Sequence, residues 1–318
     1  MAKIPIILIT GFLGSGKTSF LNEFLRHYDD EGLAVIVNEL GQIALDGRIL
    51  KPSIAYKDEQ MLVLNSGCVC CNKRLDLIKG LKELLDSYDL KQKPLKKVII
   101  ETTGLANVAP IAFTLLSDAF LSNHFILQNT LVCVDTLNAH LHLQNQEAKD
   151  QIILADSIML TKTDLKKADK SLIQELQSLN PSASIVDKQD FNHEELFSLD
   201  KKAKFQDFSL IKTHEEDFES LALEFDYSVN WSAFGIWLSM LLHRYGTQVL
   251  RVKGIIDTGE DFLVNINAVL HIMHTPSHIK KDEQNGSKLV FITRKLESQK
   301  IKQSLQSFET LLKNKDKI

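Results

Sequence analysis

The chain has 318 residues, 44% of them hydrophobic and 25% charged, and a formal net charge of -4 at pH 7. This composition is typical of a folded, soluble protein, and the length suits two domains better than one core. The net charge gives no general attraction to nucleic acid or to an anionic membrane, so neither is expected as a partner. No stretch reaches the roughly 18 apolar residues that span a bilayer, and no secretion-signal cleavage site follows the first apolar run, so we expect a cytoplasmic protein.

The first two hundred residues alternate short apolar runs with helical patterns. The runs are continuous rather than alternating, which is typical of strands covered on both faces and predicts an α/β fold with a mostly parallel sheet. The predicted strands are 4–10, 34–38, 97–101, 130–135 and 157–161, with 60–64 as a further candidate element, and the predicted helices are 18–28 and 75–88.

A charged stretch at 201–216 interrupts this pattern and predicts an inter-domain linker. The order of elements beyond it predicts a smaller α+β domain with helices on one side of a sheet. We therefore predict domains at 1–205 and 217–318. The elements predicted in the second domain are strands at 220–225 and near 247–256, 262–273 and 288–294, and helices at 231–245 and about 297–313.

Residues 11–18 read GFLGSGKT and match the phosphate-binding loop G-x-x-x-x-G-K-[ST]. The match lies between a predicted strand and a predicted helix, as this loop requires. Glycines let successive N–H groups turn inward around an anion, and the helix adds its positive end. Lys17 would reach the β- and γ-phosphates, and the Thr18 hydroxyl would hold Mg²⁺. The predicted phosphate contacts are Gly11, Gly14, Ser15, Gly16, Lys17, Thr18 and Ser19.

A phosphate-loop protein also needs an acid near the metal and a sensor for the γ-phosphate. Residues 98–104, VIIETTG, supply both, because a buried strand ends in Glu101 and Gly104 can offer its backbone N–H to the γ-phosphate. Asp135, at the end of another apolar run, is a weaker candidate for the acid. The predicted catalytic residues are Lys17, Thr18 and Glu101.

The base-recognition candidate is TKTD at 161–164, again at the end of an apolar run. GTPases commonly have N-K-x-D there, with the aspartate accepting hydrogen bonds from guanine N1–H and N2–H₂ while the lysine stem packs on the ring. Thr161 replaces the asparagine, so the motif is incomplete. Its position after a strand favours guanine over adenine and predicts Lys162 and Asp164 at the base.

Three of the four cysteines form the cluster CVCC at 68–71. Residues i and i+2 of an extended segment point the same way, so Cys68 and Cys70 can share an ion, and Cys71 can join if the chain turns. Three thiolates suit Zn²⁺, and Cu(I) or Co²⁺ less often, and leave a coordination position open for handing the metal on. A structural zinc site, a reversible disulfide and metal-free reactive thiols stay open as alternatives.

The fourth cysteine and the histidines are predicted to be packed or surface residues. Cys133 lies within an apolar run and is predicted to be a small core residue. Five histidines have spacings that a metal could use, but they are predicted to be surface or core residues, and His271 is expected to pack within a strand. These histidines are His140, His142, His271, His274 and His278.

Taken together, these motifs resemble those of the CobW-type GTPases, a group regarded as metallochaperones and related to the nickel-insertion GTPases of hydrogenase and urease maturation. The resemblance covers almost the whole chain. The matching segments are GFLGSGKT at 11–18, NELG at 38–41, CVCC at 68–71, ETTGLA at 101–106 and RVKGI at 251–255.

The resemblance implies that Glu39 joins Cys68, Cys70 and Cys71 at the metal, on a segment that responds to nucleotide. It also implies Glu101 as the Mg²⁺-linked acid, with Lys162 and Asp164 at guanine. The chain departs from the group at Gln42, where a second glutamate is frequent, at Asn107, where aspartate is common, and at Thr161, and it has no long histidine-rich tract. These departures bear on the identity and stoichiometry of the metal.

The expected function is that of a GTP-hydrolysing metallochaperone, which binds zinc, or alternatively cobalt, and delivers it to a client protein. Unassisted hydrolysis is expected at about 10⁻² to 10⁻⁴ per second. A P-loop kinase or ATPase with a structural zinc site and a non-enzymatic metal sensor remain alternatives. The sequence names neither the client nor the water-positioning residue nor an arginine finger, and it leaves open a homodimer that depends on metal or nucleotide.

Overall fold

The chain forms two compact units, each described separately below. The first comprises Met1–Leu172 and Ala183–Ala203, and the second Ile173–Ser182 and Lys204–Ile318. The domain limits at 205 and 217 stay a prediction, because they fall on residues outside the described part. The computed structural model describes residues 3–28, 32–37, 61–63, 72–90, 94–198, 214–215, 218–281 and 286–315.

The first unit is built on a sheet with the strand order β3-β2-β4-β1-β5-β6-β7 across the described residues. Every pair of neighbouring strands in it is parallel, which confirms the predicted α/β fold. The strands are β1 Ile4–Thr10, β2 Leu33–Val37, β3 Met61–Val63, β4 Lys97–Glu101, β5 Phe125–Asp135, β6 Ser157–Thr161 and β7 Ser184–Asp187.

In the described residues, helices follow β1, β3, β4, β5 and β6, as connections between parallel strands require. None of the helices in the described ranges is both long and apolar enough to cross a membrane. The helices up to residue 179 are α1 Lys17–His27, α2 Asn72–Leu90, α3 Val108–Ser117, α4 Ala119–His124, α5 Ala139–His142, α6 Gln146–Ile153 and α7 Lys170–Leu179, and short 3₁₀ turns follow at Lys188–Asp190 and His193–Ser198.

The core beneath α1 fixes the start of this helix behind the central strand. Phe20 and Phe24 of α1 are fully buried in one cluster with Ile7 and Ile9 of β1. Each such side chain stabilises the fold by about 1.5–3 kcal/mol relative to exposure. Cys133 belongs to the same cluster, which confirms its prediction as a core residue.

The strand order places the functional loops at one edge of the sheet. The chain moves from β1 to one side through β2 and β3, and after β4 it crosses to the other side at β5. In open parallel sheets, ligands bind at the carboxyl ends of the strands where the order reverses in this way. The loops after β1, β4, β5 and β6 all start at this edge.

The second unit contains an antiparallel sheet with the order β12-β11-β10-β14-β9-β8, and β13 also pairs with β11. Trp237 and Leu238 from its first helix and Leu305 from its last share one core cluster with the sheet, which confirms the predicted α+β architecture. The elements are β8 His214–Glu215, β9 Phe218–Phe225, α8 Trp231–Tyr245, β10 Val249–Asp257, β11 Phe262–Val269, β12 Ile272–Met273, β13 Ser277–Lys280, β14 Ser287–Arg294 and α9 Ser298–Lys315.

Three sequence predictions for this part of the chain were wrong. The predicted strand 262–273 is a hairpin, because Leu270 takes a left-handed conformation with φ 53° and starts a turn that no glycine or asparagine signals. His271 is therefore exposed in a turn and is not packed within a strand. Residues 214–215 of the predicted linker form β8, which pairs with β9.

Candidate nucleotide site

The loop between β1 and α1 depends on three glycines with positive φ. Gly11, Gly14 and Gly16 have φ values of 140°, 71° and 84°. A Cβ atom at Gly11 would lie 2.3 Å from the carbonyl oxygen of Cys133, whereas one at Gly14 would meet no atom within 4 Å. The loop therefore needs glycine at 11 for both space and conformation, and at 14 for conformation alone.

Alanine substitutions should separate these two causes. Gly14→Ala adds only left-handed strain, which costs about 1–2 kcal/mol. Gly11→Ala adds a clash with backbone, and overpacking with strain should bring the loss to about 3 kcal/mol or more. Denaturant unfolding of the two variants measures the difference. Equal losses would contradict the close approach of Gly11 to Cys133.

Lys17 folds back over the phosphate loop. Its Nζ donates to the carbonyl oxygens of Gly11 at 2.7 Å and Phe12 at 3.0 Å. The residue is only 8% exposed. Burial lowers the pKa of Lys17, while nearby Glu101 acts in the opposite direction. The amine is thus held against the loop whose backbone would surround a phosphate.

Thr18 and Glu101 meet at the carboxyl ends of β1 and β4. The Thr18 hydroxyl donates to Glu101 Oε1 at 2.6 Å. Glu101 is buried and pairs in register with Ile9 of β1, so the strand itself positions the carboxylate. Hydroxyl and carboxylate oxygens are ligands that suit Mg²⁺, so the residues present fit this ion. Ser19 is exposed one residue further along α1.

The loop after β4 packs against the phosphate loop. A Cβ atom on Gly104 would lie 2.6 Å from the backbone nitrogen of Leu13. The carbonyl oxygens of Gly104 and Ala106 accept hydrogen bonds from Nε2 of Gln151, both at 3.1 Å. Asn107 then caps α3 by accepting from the N–H of Ala109, a role in which asparagine is as good as the aspartate it replaces.

Thr161 joins the turn at 161–164, which we predict to be the base-recognition turn, to the phosphate loop. Its hydroxyl lies 2.7 Å from the carbonyl oxygen of Ser15, to which it donates. The threonine that replaces asparagine in the motif therefore still makes a polar contact with this loop. Gly16 also lies against it, since a Cβ atom there would be 3.4 Å from the Thr161 side chain.

Lys162 pairs with Asp135. Its Nζ lies 2.7 Å from Asp135 Oδ2, and the aspartate side chain is 1% exposed while the lysine side chain is 34% exposed. Burial alone would raise the pKa of Asp135, but hydrogen bonds from Lys162, Asn138 and the N–H of Leu137 lower it overall. Asp135 therefore pairs with Lys162 of the turn at 161–164, whereas Glu101 contacts Thr18.

Removing this carboxylate should weaken the fold in a pH-dependent way. We expect Asp135→Asn to lower the free energy of unfolding by about 1–3 kcal/mol at pH 7, as for a lost hydrogen bond between charged groups. The native pKa lies below the ordinary 3.8, so the contribution is present above 3.8 and is lost as the pH falls through the native value. In denaturant unfolding from pH 8 to pH 3, the difference in the free energy of unfolding between the wild type and Asp135→Asn should stay constant and shrink only near the acid end. A difference that shrinks between pH 8 and pH 5 would contradict this pairing.

Asp164 is exposed two residues beyond Lys162. Lys162 itself has a positive φ of 57°, which a lysine adopts only when its surroundings impose it. The turn is held further by Thr163, whose hydroxyl donates to Asp187 Oδ1 at 2.6 Å. This arrangement leaves a carboxylate accessible on a turn that is fixed to the phosphate loop.

Sequence reasoning did not place two residues, Gln151 and His142, beside these loops. Gln151 of α6 holds the loop after β4, and no motif marks it. His142 of α5 lies against the phosphate loop, with its ring centroid 5.0 Å from that of Phe12. Burial lowers the pKa of His142. His140, on the same short helix, lies 3.8 Å from Asp169 and belongs to no cluster of metal ligands among the described residues.

The predicted metal ligands lie outside the described part of the chain. They are Glu39, Cys68, Cys70 and Cys71. Within the described ranges no group of three or more His, Cys, Asp or Glu side chains could hold a metal ion. Cys133 is a poor ligand, because burial raises the pKa of its thiol to about 12.

The chain matches two known families along most of its length. Residues 5–187 match the CobW/HypB/UreG nucleotide-binding domain, and residues 218–309 match the cobalamin synthesis protein cobW C-terminal domain. The zinc chaperone YjiA of Escherichia coli K12 is 30% identical over 266 residues, covering 80% of this chain and 82% of that protein. The zinc-regulated GTPase metalloprotein activator 1 of Schizosaccharomyces pombe is 31% identical over 191 residues, 58% of this chain and 45% of that protein.

A solved structure shows the same fold. The Zn(II)-bound YjiA GTPase from E. coli superposes with a TM-score of 0.69 at 24% identity, covering 97% of this chain and 99% of that one. This likeness agrees with a parallel sheet carrying a phosphate loop and a separate antiparallel domain. Because residues 5–187, more than half of the chain, match the nucleotide-binding domain of this family, the chain belongs to the CobW/HypB/UreG family.

Proposed function

We propose that the protein is a GTP-hydrolysing metallochaperone. The observation that carries the GTP-binding part of this proposal is the hydrogen bond from Thr161 to the carbonyl oxygen of Ser15, 2.7 Å long. It fixes the base-recognition turn to the phosphate loop, so one ligand with a base and phosphates can engage both. The names of the relatives, a zinc chaperone and a zinc-regulated GTPase, support the same reading.

At the phosphate end, Lys17 would neutralise the β- and γ-phosphates once it leaves the carbonyls that it contacts. Thr18 and Glu101 would hold Mg²⁺, directly or through water, and when bound this ion neutralises charge on the phosphate oxygens. Gly104 would meet the γ-phosphate with its backbone N–H. The backbone groups that would surround the phosphates belong to Gly11, Gly14, Ser15, Gly16, Lys17, Thr18 and Ser19.

At the base end, Asp164 would accept hydrogen bonds from guanine N1–H and N2–H₂, and the stem of Lys162 would pack on the ring. The pairing of Lys162 Nζ with Asp135 supports this assignment, since it draws the lysine stem across the turn. Adenine has no pair of donors on that edge, so the exposed carboxylate favours guanine.

The metal would be cargo, held by Glu39, Cys68, Cys70 and Cys71 and passed to a client protein. Zinc is the metal that the relatives' names support, and cobalt is the alternative. Hydrolysis would be slow without a client, at about 10⁻² to 10⁻⁴ per second. The cysteines lie between the phosphate loop and Glu101 in the chain, the interval that contains the switch segments of GTPases.

Zinc affinity in three nucleotide states tests the proposal. A chromophoric chelator competes for Zn²⁺ with the protein alone, with GDP, and with a non-hydrolysable GTP analogue. We expect the affinity to differ about 5-fold or more between the GDP and GTP-analogue states, and by linkage zinc must change nucleotide affinity equally. Tight zinc binding with the same affinity in all three nucleotide states would indicate a structural zinc site and refute the chaperone function.

The cysteine cluster has a matched control within the chain. Cys70→Ala should lower zinc affinity about 100-fold or more, because a thiolate ligand is lost, while GTP binding by the metal-free protein persists. Cys133→Ala removes a buried thiol with a pKa of about 12 and should leave zinc affinity unchanged. Unchanged zinc affinity in Cys70→Ala would remove the cluster from the proposal.

A further inference from the structure

Gln151 is a buried polar side chain that reaches from α6 to the loop after β4. It is 1% exposed, and its Nε2 lies 3.1 Å from the carbonyl oxygen of Gly104 and 3.1 Å from that of Ala106. A carboxamide nitrogen carries two hydrogens, so both can be donated to this one loop. The loop includes the N–H assigned above to the γ-phosphate.

Packing does not explain a glutamine at this position. Its Oε1 is buried and accepts no hydrogen bond from the described residues. The side chain also borders a cavity of about 20 Å³ with Phe12, Cys133 and His142. A buried amide oxygen without a partner is unfavourable, and an unbranched apolar side chain of similar length would avoid that cost. The two bonds donated to the loop are what a glutamine adds here.

The loop that Gln151 holds is in direct contact with the phosphate loop. A Cβ atom on Gly104 would fall 2.6 Å from the nitrogen of Leu13 and 2.7 Å from its Cα, so the two backbones touch. Gly104 is thus held between Leu13 on one side and Gln151 on the other. Any shift of Gly104 relative to the phosphates must stretch or break the bonds from Gln151.

We propose that Gln151 is a positioning residue that sets the backbone of residues 104–106 against the γ-phosphate and thereby determines how strongly the protein prefers GTP over GDP. The inference rests on the proposed GTPase function. GDP has no γ-phosphate and does not engage this loop, so its affinity depends little on Gln151. The rate of hydrolysis depends on the same backbone, since Gly104 would bind the transferred phosphoryl group.

The test compares Gln151→Met with Gln146→Met. Methionine keeps the length of the side chain and removes both donors, and Gln146 is an exposed glutamine of the same helix that donates to Asp150. Binding of GDP and of a non-hydrolysable GTP analogue is measured with single-turnover hydrolysis and thermal unfolding. For Gln151→Met we expect the ratio of GTP-analogue to GDP affinity and the hydrolysis rate each to fall about 10-fold, with GDP affinity unchanged. Gln146→Met should match the wild type.

A second variant keeps the test independent of packing. An ionised Gln151→Glu carboxylate donates nothing, whereas the protonated form donates one hydrogen bond. Burial raises the pKa of such a glutamate, so lowering the pH from 8 to 6 should partly restore the preference for the GTP analogue. The methionine variant should show no such recovery relative to the wild type.

Each outcome decides the inference. If Gln151→Met keeps the wild-type ratio of GTP-analogue to GDP affinity and the wild-type hydrolysis rate, the inference is overturned. It is also overturned if the affinities for GDP and for the GTP analogue fall equally and the melting temperature is lowered, because this result indicates a purely structural role. If the wild-type protein neither binds nor hydrolyses GTP, the proposed function itself fails, and this result is seen before any variant is compared.

Discussion

Lys17→Ala is expected to reduce kcat/KM for GTP hydrolysis about 10²- to 10³-fold, the range found when one group that stabilises developing charge is removed. The ammonium already lies over the loop, 2.7 Å from the carbonyl oxygen of Gly11, so it is positioned to exchange these carbonyls for phosphate oxygens. Affinity for the triphosphate should fall more than affinity for the diphosphate. Steady-state hydrolysis and nucleotide titration measure both.

Two further variants control for packing and for the loss of a lysine. Lys17→Met keeps an apolar stem without the charge and should lose activity to the same extent. Lys79→Ala removes a lysine of α2 whose side chain is 75% exposed, and it should hydrolyse GTP at the wild-type rate. Thermal unfolding of each variant is measured alongside hydrolysis, because removing the Lys17 amine also removes its hydrogen bonds to the carbonyl oxygens of Gly11 and Phe12. Normal hydrolysis by Lys17→Ala would refute the phosphate-loop assignment.

Asp164→Asn is expected to weaken GTP binding about 10²-fold or more and to improve binding of xanthosine triphosphate. A carboxylate accepts both guanine donors, and hydrogen bonds to charged groups contribute about 1.5–3 kcal/mol each. An asparagine offers one acceptor and one donor, which match the N1–H and the 2-oxo group of xanthine. Competition binding with GTP, ATP and xanthosine triphosphate gives the three affinities.

Asp190→Asn provides the matched control, since Asp190 is also exposed in the first unit and the substitution makes the same change in charge. It should leave all three affinities unchanged. ATP binding as tight as GTP binding in the wild type would favour the ATPase or kinase alternative. An unchanged preference for GTP in Asp164→Asn would mean that the base is read elsewhere.

Local patterns in the sequence were sufficient to predict the framework of the nucleotide-binding unit. The continuous apolar runs at 4–10, 97–101 and 157–161 agree with the bounds of β1, β4 and β6. A strand buried on both faces must be apolar along its length, so its position can be read without knowing its neighbours. The phosphate loop was also identifiable, because one backbone conformation needs glycine at fixed spacing.

Several contacts could be seen only in the tertiary structure. Thr161 and Ser15 lie 146 residues apart in the chain, Lys162 and Asp135 27 apart, and Gln151 and Gly104 47 apart. Periodicity indicates which side chains are buried but not which partner each one meets. That choice follows from the strand order, which brings β1 between β4 and β5.

The hairpin at Leu270 in the second unit is another feature that local sequence patterns did not predict and the tertiary structure shows. Its residues read as one apolar strand because the turn contains neither glycine nor asparagine, and only the pairing of β12 with β11 reveals it. By itself the sequence thus determined the central strands of the nucleotide-binding unit, the glycine-dependent loop and the family to which the motifs belong. The tertiary structure decided which acid meets Thr18, which meets Lys162, and that a glutamine without a motif holds the loop after β4. Those pairings depend on how distant strands are ordered in the sheet.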